Sequence, residues 1–356
     1  MQGIPLRPDY AAAQRAAADL ITRAVIAAGI AKFDGKITPI DFARKKWGDS
    51  RTVQYIERAA SGPAMTTTTG WAAELSHVAQ MFIGLLVPVS AAAAVLNRGL
   101  QINFNGLSSI SFPSISQSAA TFTGQAKPIP VAQFVTGAGA KLESFALKLI
   151  TVATYEMLAS SNAEAMLKAV LIEGAALGLD QALFSANAGT ADNPPGLLVG
   201  VTATPSSTQT IPTEAMLSDV AKLAGAVARV AGGSSNIIFV AAPEQESFIK
   251  SYEPQFAFPL LASSALPNKT VIAVAGNAFI TAYGPLPEID TARETELHMD
   301  SAPLAIVPPG SPAVMSSPVG SLVQTDRVAF RMRLPVAWAL RTSGAIAFVN
   351  NASWPA

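Results

Sequence analysis

Between Asn162 and Phe184 apolar residues recur at steps of three and four, through Ala163, Met166, Leu167, Val170, Leu171, Leu177, Leu183 and Phe184. That is helical spacing, and the residues fall on more than one face. Only Glu164, Lys168, Glu173 and Asp180 interrupt the run, so the predicted helix must be covered on most sides. Ser161 and Glu164 have the S-x-x-E spacing of a capping box, which places the helix start at Asn162. Gly174 and Gly178, four apart, leave room for a close-packed neighbour. Asn193, Pro194, Pro195 and Gly196 then stop the pattern and turn the chain into the apolar run from Leu197 to Val201.

The flanking patterns predict a mixed fold. Residues 11 to 31 read as an alanine-rich helix and Thr52 to Ala60 as a short one, with Gly62, Pro63 and Thr66 to Thr69 forming a linker. Trp71 to Leu96 is mostly helical as far as Pro88, and Ile102 to Ile115 has the composition of strands. From Ser116 to Lys148 the chain is extended or looped, as in a two-stranded arm that leaves its own subunit and packs on a neighbour. Thr213 is placed to cap a helix over Glu214 to Val230, ended by Gly232 and Gly233. Asn236 to Ala242 reads as a buried strand, Pro243 to about Tyr252 as a short helix, and Thr270 to Ala275 as another strand. Alternation from Leu322 to Trp338 and the run Ala345 to Val349 complete an α+β pattern without internal repeats.

Composition sharpens the need for cover. Charged residues make up 13% of the 356, against about 25% in ordinary soluble domains. The hydrophobic fraction is 50% and the mean hydropathy +0.36. Obligate subunit interfaces, depleted of Lys, Glu and Asp and burying roughly 2,000 to 5,000 Å², supply such cover, so a high-order homo-oligomer is expected. A membrane is excluded as the covering phase: the longest apolar stretch, Met81 to Leu96, has 16 residues and includes Gly84, Pro88 and Ser90. Asp9 and Asp19 sit where a secretory signal would be basic and then apolar. The absence of cysteine excludes disulfides, thiolate nucleophiles, zinc fingers and iron–sulfur clusters.

Net charge is zero but uneven. Residues 1 to 65 hold 10 Lys or Arg against 6 Asp or Glu, and the rest 14 against 18. Arg44, Lys45 and Lys46 read first as a solvated face, and second as a surface near a polyanion.

Catalytic patterns are sparse. His77 and His298 are the two histidines, neither with carboxylates at ligand spacing, and no catalytic, cofactor or metal site is assigned. Gly137-Ala138-Gly139-Ala140-Lys141 lacks the spacing of a phosphate-binding loop. Ser247 and Lys250 fit S-x-x-K, the minimal pattern of a serine hydrolase whose lysine deprotonates the serine, but S-D-N and K-T-G are missing.

The order of these pieces resembles the major capsid protein of tailed double-stranded DNA phages, with its Hong Kong 97-type fold. The likeness runs from about Thr66 to the C-terminus. Trp71 and 82–96 (FIGLLVPVSAAAAVL) resemble that family's opening helix with its "l-x-p-x-s" stretch. Phe122 to Pro128 is similar to an extended-loop tip, with Gln125 where an acid is usual. Thr154 to Leu158, continuing to Ser160, resembles the entry to a spine helix. Asp180 to Phe184 ("D-x-a-f") and Pro194 to Leu198 ("P-x-G-l-l") resemble its exit, and Asp326 to Arg333 with Ala347 to Val349 the closing strands.

The resemblance implies a segment leading to the first strand (66 to 110), an E-loop (111 to 149), a P-domain (150 to 204 with 319 to 356) and an A-domain (205 to 318). Residues 1 to 65 fall outside it and read as a helical arm lining the inner surface, a remnant of an assembly segment, or a piece removed by a maturation protease. It implies no enzyme and no cofactor. The subunit would assemble with itself in hexamers and pentamers, in the virion, after assembly in the bacterial host cytoplasm. Portal, scaffolding or maturation proteins and decoration proteins are the further partners implied, with non-specific contact to packaged DNA and none to a membrane. A shell of the same ancestry around cargo enzymes, of encapsulin type, is the alternative, and the Ser247 and Lys250 hydrolase a more distant one. Some relatives form a lysine–asparagine isopeptide bond, for which Lys127 or Lys141 and Asn350 or Asn351 are the candidates here.

Overall fold

The computed structural model describes residues 10–48, 52–54, 56, 86–103, 109–111, 114–115, 134–135, 141–160, 162–190, 192–283, 288–298 and 319–354. Its helices include α1 (Tyr10–Asp34), α2 (Pro39–Trp47), α3 (Ala91–Leu96), α4 (Tyr155–Ala159), α5 (Ala163–Leu183), α6 (Pro212–Ala231) and α7 (Pro243–Tyr252), and residues 52–54 and 56 are helical as well. Between α3 and α4 run strands β1 (Leu100–Asn103), β2 (Ser109–Ser111), β3 (Ser114–Ile115), β4 (Phe134–Val135), β5 (Lys141–Glu143) and β6 (Phe145–Thr154). Strand β7 (Ile237–Ala241) precedes α7, followed by β8 (Leu260–Ala262), β9 (Val271–Ala275), β10 (Phe279–Tyr283), β11 (Glu288–Ala292) and β12 (Glu296–His298). The last are β13 (Val319–Ser321), β14 (Arg327–Leu340) and β15 (Ile346–Val349).

The chain divides into two compact units, and the division falls inside β6, α5 and β14. One unit comprises Met1–Leu85, Leu147–Gly174 and Leu286–Leu334. Its core joins Val25 and Ile26 of α1 to Ala153, Leu158, Ala163, Leu167, Val328 and Phe330. β11 runs antiparallel to the first half of β14, from Glu288 opposite Arg333 to Ala292 opposite Ala329. Leu149 of β6 packs over Gly174 of α5, where an added Cβ would lie 3.3 Å from Leu149 Cδ1. The glycine therefore serves close packing, and what approaches it is a side chain.

The other unit comprises Leu86–Ala146, Ala175–Pro285 and Pro335–Ala356. A four-stranded sheet in the order β15-β9-β7-β8 forms its centre, with every residue of β7 and β9 buried. Helix α6 packs on β9 and β15 through Met216, Val220, Leu223 and Val227, apolar at the three- and four-residue steps of one helical face. Pro212 opens α6 with no side-chain cap, so Thr213 lies inside the first turn instead of capping it. Proline is suited to that position because its missing N–H would have had no helical partner. Gly232, with φ of 67°, closes the helix in the left-handed conformation. In the same unit β1 lies parallel to β10, and β10 antiparallel to the second half of β14. The ladders β2 with β5 and β3 with β4 are both antiparallel. Buried Leu142 of β5 anchors the first of them beside Ile280, Ala282 and Ala337.

Spine helix α5 spans Ala163–Leu183, within a residue at each end of the span predicted from periodicity. Residues 150 to 154, which precede it, are strand, and α4 intervenes. Helical structure also resumes beyond Pro88, because Ser90 caps α3 by accepting from Ala93 N. β15 pairs with β9, and β14 with β10 and β11. Residues 319 to 356 thus share sheets with strands of the 205 to 318 segment. Ser161, Trp71, His77, the linker from Thr66 to Thr69, Gly137 to Ala140, and the arm tip from Phe122 to Pro128 with Lys127 lie outside the described residues.

Candidate assembly surface

The two faces of α5 differ in burial more than in polarity. Ala163, Leu167, Leu171, Ala175, Leu179 and Leu183 are buried. On the opposite face Ala165, Met166, Ala169, Val170 and Leu177 are exposed, together with Asn162, Glu173 and Gln181. Met166, Val170 and Leu177 leave 48%, 44% and 45% of their surface open, and Glu173 is the one charge among them. Large apolar side chains in a row on an exposed helix face are the composition of an interaction surface. Glu164 and Lys168, which could have made the face polar, turn to α1 instead. Arg23 Nε donates to Glu164 Oε1 at 2.8 Å, and Lys168 Nζ to Asp19 Oδ1 at 2.5 Å.

The segments that carry the family resemblance meet in space. Ser90, the serine of the "l-x-p-x-s" stretch, donates to Oδ1 of Asp180, the aspartate of "D-x-a-f", at 2.5 Å. The same oxygen accepts from Ala92 N at 3.0 Å, and Oδ2 from Ser263 Oγ at 2.6 Å. A buried carboxylate with three donors is compensated for its lost water. At the entry to the spine, Tyr155 N donates to Asp326 O of the closing segment at 3.3 Å.

At the exit, Leu197 N donates to Leu183 O, satisfying a carbonyl that the end of α5 would leave unpaired, and Gly196 N donates to Asn187 O in the loop beyond it. Gly196 has to be glycine, since a Cβ there would lie 2.0 Å from Ser185 O. Trp338 Nε1 of β14 donates to Pro195 O at 3.0 Å.

The catalytic candidates are not brought together. Ser247 Oγ donates to the Pro243 carbonyl at 2.9 Å, and Lys250 forms an ion pair with Glu246 on its own helix. Both residues have other partners, on an exposed stretch of α7. His298 lies on β12, and among the described residues no three His, Asp or Glu side chains cluster as a metal ion would require. Among them no helix is long and apolar enough to cross a membrane. Asn350 and Asn351 are exposed after β15, and Lys141 lies on β5. Two contributors escaped the sequence reading. Ser263 sits in a loop without a motif, and the partnership of α1 with α5 shows in sequence only as Asp19 and Arg23 spaced one turn apart, like Glu164 and Lys168.

No family model matches the chain, and no curated protein does. Among solved structures it is similar to a chain from Mycobacterium phage Adephagia, at 14% identity over 75% of this chain and 92% of that one, with a TM-score of 0.49. It is similar also to a chain of the satellite phage P4 procapsid that includes the size determination protein Sid, at 8% identity over 86% and 98%, with a TM-score of 0.49. A third is a chain from the capsid of an empty GTA particle, at 13% identity over 84% and 98%, with a TM-score of 0.45.

Proposed function

We propose that this protein is a shell subunit of the phage major capsid type, many copies of which tile an icosahedral shell around double-stranded DNA. The observation that carries the reading is the exposed apolar face of α5. A helix with Met166, Val170 and Leu177 open to water and a single charge on that face is built to be covered in an assembly. The low charge of the whole chain has the same explanation. The motif pairs Ser90 with Asp180 and Tyr155 with Asp326 support the family resemblance, because they give segments far apart in sequence one shared structural purpose.

In this reading residues 205 to 318, which include β7, β8 and β9, form the A-domain, and residues 150 to 204 with 319 to 356 the P-domain. Residues 111 to 149, rooted by the β2 and β5 ladder, form the arm that lies over a neighbouring copy. Hexamers and pentamers of the chain are the assembly units, with portal, scaffolding or maturation and decoration proteins as partners in the particle. Assembly takes place in the host cytoplasm. The test is to purify particles from expressing cells and analyse their contents. Nuclease-protected double-stranded DNA in particles formed with the packaging partners supports the capsid, whereas particles that hold only a protein cargo support a compartment shell.

A further inference from the structure

The start of the chain is joined to the spine helix through the core as well as the surface. Asp19 and Arg23 lie one turn apart on α1, and Glu164 and Lys168 one turn apart on α5, paired in crossed order. That order sets the two helices antiparallel, side by side. Beneath the ion pairs Val25 and Ile26 are 1% and 0% exposed, packed among Leu158, Leu167 and Phe330. Gly29 admits the Phe330 ring, whose Cζ would be 2.7 Å from an added Cβ. Further along, the Arg293 guanidinium lies over the Phe33 ring at 4.6 Å, donates to the Phe33 carbonyl at 3.4 Å and pairs with Asp326 at 3.0 Å. Helix α2 closes behind α1, with Ala43 buried beside Ala27 and Val53.

Removing residues 19 to 47 would bare Leu158, Leu167, Val328 and Phe330 and strand the charges of Glu164 and Lys168. A leader made to be discarded would meet the rest of its chain along a polar seam, because the cost of exposing a core falls on what remains. We infer that α1 from Asp19 onward, together with α2, is a permanent part of this unit, and that any trimming of the chain's start stops before Asp19. This deepens the shell reading by saying which residues the assembled subunit keeps, while the docking of α1 stands apart from it.

Two measurements separate the two. Hydrogen exchange on the full-length protein, assembled or not, should protect the amides of Thr22 to Ile30 to within tenfold of those of Leu167 to Leu179. Exchange more than tenfold faster in α1 overturns the inference whether or not shells form. Mass spectrometry of subunits from purified particles should find a first residue at or before Asp19, and a subunit beginning anywhere later overturns it. In a swap variant, Arg23→Glu with Glu164→Arg should restore protection that Arg23→Glu alone reduces. Equal protection in all three proteins would contradict the docked register.

Discussion

Ser90 Oγ donates to Asp180 Oδ1 at 2.5 Å, across 90 positions of sequence, and the two residues belong to different segments of the family resemblance. Ser90 is at once the N-cap of α3, accepting from Ala93 N, and a donor to the Asp180 carboxylate. Asp180→Ala would leave Ser90 Oγ, Ala92 N and Ser263 Oγ without their acceptor in a buried site. Each such group costs about 1 to 3 kcal/mol, so the variant should lose roughly 3 to 5 kcal/mol in urea unfolding. Ser90→Ala should lose less, about 1 to 2 kcal/mol, and a double-mutant cycle should show coupling above about 1 kcal/mol.

Gly196 and Gly225 make a matched contrast. A Cβ on Gly196 would lie 2.0 Å from Ser185 O and 2.3 Å from Ser185 Oγ, whereas one on Gly225 in α6 meets nothing within 4 Å. Gly196→Ala should therefore lower stability by about 1 to 3 kcal/mol or more. Gly225→Ala should raise it by up to about 1 kcal/mol, because alanine is the better helix residue. Chemical denaturation of both variants checks the pair.

A charge on the open face of α5 should separate folding from assembly. Val170 is 44% exposed and packs on little in the single subunit, so Val170→Glu should leave the thermal midpoint of the unassembled protein nearly unchanged. Buried in an interface without a partner, the same carboxylate should block assembly. Sedimentation velocity alongside differential scanning calorimetry checks both halves.

Tyr283 gives the fold an alkaline sensitivity. Its phenol is buried, and its oxygen has no hydrogen-bond partner among the described residues, while the Thr281 hydroxyl donates to Leu96 O at 3.2 Å. Burial raises the phenol above its ordinary range, although nearby Thr281 opposes the rise. The folded state thus holds the proton above about pH 10, where the unfolded chain releases it. Stability is full below about pH 10 and falls as pH rises beyond it. Tyr283→Phe should flatten that fall while changing stability little at pH 7, as unfolding midpoints between pH 8 and 11 will show.

Much of this arrangement is legible in the sequence because local rules and tertiary structure agree there. The spine helix, the strand and helix around Pro243, and the glycine stop of α6 follow from periodicity and backbone chemistry. Thr213 misled because proline at the first helical position outranks a hydroxyl one residue later. The helix beyond Pro88 was hidden because proline marks a break but says nothing of what Ser90 can restart. The pairing of β15 with β9 and the docking of α1 on α5 are long-range choices, decided by which buried faces fit and not by the residues near them in sequence.

The central claim is that the open face of α5 is covered by other copies of this chain. Negative-stain electron microscopy of the purified protein tests it most directly. Uniform hollow shells or capsomer rings are the expected result. A field of single subunits, matched by a stable monomer in the ultracentrifuge at micromolar concentration, would contradict it.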